Sequence, residues 1–415
     1  MAGKKKIPEI RFQGFSGEWE GCKYYEIAEI RRGLTYKPED VANTGVRVLR
    51  SSNINEDRFE QKDDDVFVNE DAINIPFVNE NDILITSANG SNRLVGKHAI
   101  INNINQKTVH GGFMLLATAK NPCFLNASMS SHWYSTFLDL YIAGGNGAIG
   151  NLSKTDLANQ DICIPNETEQ SKIGTFFQNL DSLITLHQRK YDKLTTVKKG
   201  MLEKMFPKDG ADVPELRFKG FAGKWEQKEL SRMTQKIGSG KTPKGGGATY
   251  VSEGIALLRS QNIRNNAIDM SDVAYITHKT DEDMTNSRVS KNDILLNITG
   301  ASIGRSAVYR LSVLANVNQH VCIIRPINGF YPDFIQLNLA SADGQKKIDE
   351  NQAGGGREGL NFEQIGKMSF MFPTIEEQTQ IATFFQHLDS LISLQQKELD
   401  KLKNIKKACL EKMFV

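Results

Sequence analysis

No apolar run in the chain approaches the ~20 residues that a membrane span requires, and no apolar core follows the basic start Lys4-Lys5-Lys6 as it would in a secretory leader. Both absences predict a cytoplasmic chain that does not meet a membrane. The lysine run itself reads as a solvated terminus. Excess charge is missing too: 51 basic and 49 acidic residues leave +2. A domain that grips a polyanion alone carries a larger basic excess, so a nucleic-acid binder of this composition grips weakly or has help. The five cysteines, Cys22, Cys123, Cys163, Cys322 and Cys409, are odd in number and scattered, with no C-x-x-C pair. That argues against a disulfide framework and reads as free thiols in a reducing compartment. There is no H-E-x-x-H, no metal-spaced Cys/His set and no G-x-S-x-G elbow. The Asn121-Pro122 pair continues with Cys123, so the Asn/Asp-Pro-Pro-aromatic string of an adenine methyltransferase is missing as well. With no acid–base pair that can be singled out, the chain reads as non-catalytic.

What is present is a duplication. Pro8-Glu9-Ile10-Arg11-Phe12-Gln13-Gly14-Phe15 returns as Pro214-Glu215-Leu216-Arg217-Phe218-Lys219-Gly220-Phe221, and Trp19 as Trp225. From Pro165 to Phe206 the chain matches itself at a fixed offset of 208, with about 25 of 42 positions identical. Such a period is too long for a solenoid repeat and marks a whole duplicated domain. Two similar modules suit a target with two similar halves.

Each copy has two unlike parts. Residues from about 17 to 165, and from about 223 to 373, hold short Val/Ile-rich runs between Asn, Gly and Ser clusters. Strands are predicted at 46–50 and 82–86, and at 256–259 and 293–297. A helix is predicted from Met129 to Tyr141, with a partner from Pro332 to Asn351. After Pro165 and Pro373, acidic residues (Glu167, Glu169; Glu376, Glu377) open long helical patterns, as suits a helix N-terminus. Ile173, Leu180, His187, Leu194 and Met201 fall seven apart. Two further apolar rows make the stripe wider than a two-stranded seam needs. The surplus packs on its own module or receives helices of a partner; the candidate partner-binding residues are Phe176, Leu183, Val197, Phe384, Leu391 and Ile405. His187 and Gln395 are polar mid-stripe positions that fix register at a cost in stability. The expected class is α+β: two duplicated mixed α/β modules, separated by two long antiparallel coiled-coil helices. The boundaries read as 1–165, 166–206, 207–373 and 374–415.

Recognition chemistry clusters in loops. Arg50, Ser51, Ser52 and Asn53, and again Arg259, Ser260, Gln261 and Asn262, stand just beyond a predicted strand. Arg reads guanine edges bidentately, Asn and Gln read adenine, and Ser reaches base or phosphate. Small polar loops hold Ser87, Asn89, Ser91 and Arg93, and Thr299, Ser302 and Arg305; His110 and His320 fall in what read as corresponding stretches. Thr35 and Lys37, and Lys241, Thr242 and Lys244, follow glycines, and Arg357 lies in a glycine-rich loop. These are the candidate DNA-binding residues. The same side chains at strand ends can serve as turn caps, and both readings stand at this point. Gly238-Ser239-Gly240-Lys241-Thr242 resembles the end of a phosphate-binding loop, but the full pattern wants glycine where Gln235 stands. The G-x-G-x-x-G strings at Gly145–Gly150 and Gly354–Gly359 each follow a predicted helix, the wrong context for a dinucleotide fingerprint.

Together the Pro-x-x-x-Glu-Gln start (Glu169-Gln170, Glu377-Gln378), the Ile-x-x-Phe-Phe-x-x-Leu-Asp-x-Leu-Ile helix, the terminal Leu-Glu-Lys-Met-Phe and the Leu-Arg-Ser-x-Asn-Ile turn resemble the specificity subunit of type I restriction–modification enzymes. The likeness covers nearly the whole chain, twice. It implies two target recognition domains, each reading one half of a split double-stranded DNA site, and helices that pair antiparallel and hold them apart. It implies two modification (methyltransferase) subunits that bind S-adenosylmethionine and methylate adenine, and restriction subunits that use ATP and Mg to translocate and cut. This chain would hold no cofactor and catalyse nothing. It does not say which loop residues touch bases. Two readings from other classes remain: an NTP-binding enzyme built on Gly240-Lys241-Thr242, and a protein–protein scaffold with two modules on a helical stalk.

Overall fold

The structure, a computed structural model, describes residues 6–142, 150–208, 210–352 and 359–415. It divides into two compact units: Met1–Arg189 with Gln396–Val415, and Lys190–Gln395. The division cuts both long helices next to the polar positions His187 and Gln395.

In the first unit, strands β1 (Ala28–Arg32), β2 (Val46–Leu49), β3 (Ile83–Thr86), β4 (His98–Ile100), β5 (Thr108–His110) and β6 (Met114–Ala119) build two sheets. One is antiparallel in the order β4-β3-β6-β1. In the other, β5 runs parallel to β2, which pairs antiparallel with Val66–Val68. Neighbouring side chains on a strand point to opposite faces. Ile83 and Ile85 therefore join Leu115 and Ala117 in one core, while Leu84 joins Leu49 and Leu116 in another. A strand buried on both faces reads as a continuous apolar run, which is why Ile83-Leu84-Ile85 stands out in the sequence. The first core is closed by helices Pro122–Met129 and His132–Tyr141. The helix predicted from Met129 to Tyr141 begins instead at His132, and the sequence pattern does not predict the helix before it. That helix opens on Pro122, preorganised for a first helical position. The break falls at Ser130 and Ser131, whose amides turn back to the carbonyls of Ala127 and Ser128.

The ribbon Glu20–Lys23 with Asp161–Ile164 brings the chain to Pro165 and into α1 (Glu167–Lys204). Asn166 caps its start, its Oδ1 accepting the Glu169 amide at 3.0 Å. Glu169 is fully buried, and Arg11 grips its carboxylate with two donors at 2.6 and 2.7 Å. The hydrogen bonds to Glu169 raise the Arg11 pKa. Arg11 also donates to the Gly17 carbonyl at 2.5 Å, so it holds the leading Pro-Glu-Ile-Arg-Phe string against the helix start. The string reaches further: Phe12 packs edge-on against Phe176, Trp19 against Phe124 and Phe414, and the Ile10 amide bonds to the Lys412 carbonyl. Phe414 follows the second long helix, α2 (Ile375–Lys412). Within this unit Phe177 meets Phe414, Asp181 pairs with Lys406 at 2.7 Å, and Leu180 and Ile184 pack on Leu399. As α1 advances its partners move back along α2, so the two segments run in opposite directions.

The second unit repeats the plan with β7 (Thr234–Ser239), β8 (Ile255–Leu258), β9 (Ile294–Asn297), β10 (Ser306–Val308), β11 (Ala315–Val317) and β12 (Val321–Pro326). The antiparallel order is β7-β12-β9-β10, and β11 runs parallel to β8. Here the helix predicted from Pro332 to Asn351 is two, Pro332–Ala340 and Ala342–Glu350. Ser341 ends the first and caps the second, its Oγ accepting the Gly344 amide at 3.0 Å. Arg217 grips buried Glu377 at 2.6 Å with both donors, Phe218 packs on Phe384 and Trp225 on Phe206, and the Leu216 amide bonds to the Lys204 carbonyl.

Removing one partner of a buried pair leaves the other charge uncompensated. Arg11→Ala is expected to lower the unfolding free energy of the first unit by about 3 kcal/mol. The double variant Arg11→Met/Glu169→Leu should recover most of that loss. Urea unfolding of the full chain reads both, and a double variant as unstable as the single one would contradict the assignment.

Candidate nucleic-acid interface

Beyond the buried end of β2 the chain makes a one-turn 3-10 helix, Ser51–Asn53, and beyond β8 the equivalent Ser260–Asn262. Such a turn leaves amides without partners, and the asparagine supplies them. Asn53 Oδ1 accepts the Arg50 amide at 2.8 Å, and its Nδ2 donates to the Glu60 carbonyl and to Asp65 Oδ1. Asn262 accepts the Arg259 amide and donates to the Asp269 and Asp272 carbonyls. Both asparagines are buried. Their donors are spent inside the fold, so the expectation that they contact DNA is replaced by a capping role.

The caps hold the arginines beside them. Arg50 Nη2 lies 3.4 Å from the Asp64 carbonyl and Arg259 Nη2 2.9 Å from that of Asp272. In both copies Nε has no hydrogen-bond partner. Arg259 also lies over the Tyr250 ring, and Gln261 is tied to the Asp272 carboxylate. Arg50 lines a cleft of about 630 Å³ together with Thr35, Tyr36, Ser51, Asn89 and Phe113. Asn89 donates to Ser51 Oγ at 3.0 Å and accepts the Ser91 amide at 2.9 Å, linking the two polar loops. In the second unit Asn297 makes the same link, donating to the Ser260 carbonyl at 2.9 Å and to Ser302 Oγ at 3.1 Å. Gly150-Asn151 pair with Ala88-Asn89, and Gly359 bridges to Thr299; the rest of both glycine-rich strings lies outside the described residues.

The structure thus brings Thr35, Arg50, Ser51 and Asn89 together in one unit, and Arg259, Ser260, Thr299, Ser302 and His320 in the other. Ser52, Ser91, Lys37, Lys241, Lys244 and Arg305 are exposed around them, and Thr242 is half-buried. Ser87 is buried and works through its backbone, donating to the Phe113 carbonyl and accepting from Leu152. Arg93 does not line the Arg50 cleft; it borders another, about 770 Å³, with His98, Ser131 and Lys406. Arg357 lies outside the described residues.

The histidines are not equivalent. Strand register pairs Leu49 with His110 and Leu258 with Val317, so Val317 is the counterpart of His110. His110 is fully buried beneath the cleft, with Nε2 3.3 Å from the Arg31 carbonyl, and burial pushes its pKa down to about 4. It is a neutral core residue, which corrects its assignment as a DNA contact. His320 corresponds instead to Phe113: the Ser87 amide bonds to the Phe113 carbonyl at 2.9 Å and the Ile298 amide to that of His320 at 3.0 Å. Phe113 is 69% exposed in the cleft mouth. Reading polar residues alone missed it. The signal available was an aromatic behind the Gly111-Gly112 pair.

The glycines shared by the two copies have a packing reason. A Cβ at Gly33 would overlap the Gly111 carbonyl oxygen, and one at Gly240 that of Val317. Gly240-Lys241-Thr242 follows a strand, and the next regular element is a 3-10 turn, Gly246–Thr249, with no α-helix N-terminus to receive a phosphate. The nucleotide-binding alternative falls on that geometry. Among the described residues no group of three His, Cys, Asp or Glu could hold a metal, and no helix is long and apolar enough to cross a membrane.

On the long helices the candidate partner-binding residues separate. Phe176 and Phe384 are half-buried against Phe12 and Phe218 of their own units, and Val197 is half-buried. Leu183 and Leu391 are each 46% exposed and Ile405 is exposed too. One turn on from each leucine stands a second exposed one, Leu186 and Leu394.

The sequence matches the family described as type I restriction modification DNA specificity domain over residues 16–196 and again over 222–404. It is 28% identical over 169 residues to the type I restriction enzyme EcoBI specificity subunit of Escherichia coli, covering 40% of this chain and 35% of that protein. A putative type I restriction enzyme MjaX specificity subunit of Methanocaldococcus jannaschii is 26% identical over 197 residues, 46% of this chain and 45% of the relative. These two matches span less than half of the relatives' length. The MjaVIII specificity subunit of the same organism is 22% identical over 345 residues, 80% of this chain and 77% of that one. Among solved structures, the S subunit of a type-I restriction-modification system from M. genitalium aligns over 99% of both chains, with a TM-score of 0.60 and 15% identity, a likeness of fold.

The buried histidine gives a pH test. Its folded pKa of about 4 lies below the ~6.5 of an unfolded imidazole. Between those values the unfolded chain binds the proton and the folded chain does not, so stability is lost as pH falls from 6.5 toward 4. From pH 7 to pH 5 the wild type should lose about 2 kcal/mol more than His110→Val, which copies the second unit. Urea unfolding at the two pH values measures it; equal losses would place His110 in contact with solvent.

Proposed function

The chain belongs to the type I restriction modification DNA specificity domain family, and from that membership we propose that it is the DNA-reading subunit of a type I restriction–modification complex, each unit reading one half of a split, asymmetric site. This replaces the reading as a protein–protein scaffold. The observation that carries it is the twofold occurrence of one arrangement: a capped Arg-Ser turn linked by an asparagine to a second polar loop, on matching sheets, with different side chains around it. An arginine fixed at one nitrogen keeps other donors for a guanine edge or a phosphate. A shared scaffold with divergent contact residues suits two readers of different words.

Catalysis belongs to the partners in this account. Two modification subunits bring S-adenosylmethionine and methylate one adenine per half-site; restriction subunits bring ATP and Mg for translocation and cutting. The near-zero net charge fits a reader whose partners add grip on the phosphates. The long helices pair as an antiparallel coiled coil, and the repeated leucine pairs, Leu183 with Leu186 and Leu391 with Leu394, are the docking points for modification subunits. Exposed leucines one turn apart are neighbours on a helix surface and suit an incoming helix.

Methylome sequencing of cells that carry the chain with its partners should return an asymmetric motif split by an unread spacer. Arg50→Ala should relax one half only and Arg259→Ala the other, each at ~1–3 kcal/mol where the contact is to a base edge. Uniform weakening on all DNA would mark the arginines as phosphate clamps, and one continuous palindrome would overturn the two-reader account.

Leu183→Asp and Leu391→Asp should each reduce capture of modification subunits on a sizing column at least tenfold, with the fold unchanged. Phe176→Asp should act through stability instead, since its ring is packed on Phe12. Unimpaired capture by the leucine double variant would contradict the docking points.

A further inference from the structure

Resting on the reading above, we infer that Phe113 is a base-contacting residue of the first unit that recognises the C5-methyl group of a thymine, and that His320 is the polar residue at the same place in the second. A single exposed aromatic is ordinary on a protein surface; three observations set this one apart. First, its backbone is fixed. The Phe113 carbonyl accepts the Ser87 and Ala88 amides at 2.9 and 3.1 Å, the Met114 amide closes on Gly111 at 2.8 Å, and the Gly111 amide bonds to the Leu49 carbonyl at 2.8 Å. The Gly33 backbone lies so close behind that no side chain fits between them. A ring presented from a rigid tip has the backbone share of its ordering cost met before binding.

Second, the ring stands among donors suited to nucleic acid, in the cleft mouth with Arg50, Ser51 and Asn89. An apolar side chain amid polar readers has one feature of the major groove to recognise, the thymine methyl. Third, the register gives the same tip in the second unit to His320, also set by a carbonyl bond, here from the Ile298 amide. The His320 ring is oriented through Nδ1, 2.6 Å from Thr299 Oγ1, and Nε2 lies 3.1 Å from the Gln319 amide nitrogen. One scaffold position therefore carries an apolar tip in one unit and a hydrogen-bonding tip in the other, which is how two copies of a fold come to read different bases.

The test uses the assembled modification complex and duplexes in which each thymine of the recognised site, one at a time, is replaced by deoxyuridine, which removes only the methyl. In the wild type one such replacement in one half-site should slow methylation roughly five- to tenfold. Phe113→Ala should methylate thymine and uracil duplexes alike at that position, Phe113→Leu should keep the discrimination, and His320→Ala should leave it untouched. The melting temperature of Phe113→Ala should equal that of the wild type, separating contact from folding. A flat uracil scan on a wild type that reads a split site would overturn this inference alone. So would a recognised half without a T:A pair, or a Phe113→Ala complex that still prefers thymine. A wild-type complex that methylates no split site would overturn the two-reader function itself, and this inference with it.

Discussion

In each unit a fully buried glutamate is paired with an arginine from the leading string, Glu169 with Arg11 and Glu377 with Arg217. A carboxylate taken fully out of water needs a partner of matching geometry, and the guanidinium supplies two parallel bonds. Because the arginine sits in a loop string and the glutamate in the first turn of a long helix, the pair ties the entrance of the module to the helix that leaves it. The aromatic contacts follow: Phe12 on Phe176, Trp19 on Phe124, and their counterparts Phe218 on Phe384 and Trp225 on Phe334 in the second unit. The ribbon that brings the chain to Pro165 or Pro373 starts a few residues after the string. The reading loops are thus carried on a frame whose ends are locked, and they can vary without disturbing it.

That separation also explains a division within the Arg-Ser turns. Asn53 and Asn262 face inward and satisfy the turn's own backbone, while the neighbouring Arg50, Ser51, Arg259 and Ser260 stay at the surface. One short motif holds both the structural and the recognising chemistry. Loops that expose polar groups need buried caps of this kind, since an unpaired buried amide costs about as much as a lost hydrogen bond.

The sequence displayed the duplication, the strands at Ile83–Thr86 and Ile294–Asn297 and the two long helices, because each depends on local pattern or on self-similarity. It did not display the helix Pro122–Met129, nor the break at Ser341, since a helix that restarts at once keeps nearly the same apolar spacing. The site was half legible. Residue type identifies Arg50 or Ser51 as able to meet DNA, but facing inward or outward is settled by tertiary contacts, so Asn53 and His110 looked like readers and are core. Glu169 read as a helix-start acid, and its partner 158 residues away could not be seen from spacing. Phe113 escaped because its equivalence to His320 lives in strand register, where the offset of the helices does not apply.

The central claim is that each unit reads its own word from a frame common to both. The most direct measurement is a methylome of cells carrying a chain in which the first reading module, about 17–165, is replaced by the second, about 223–373, with the helices left as they are. The account predicts a split site with the second unit's word on both sides of the spacer. A motif that keeps the first unit's original word would contradict it.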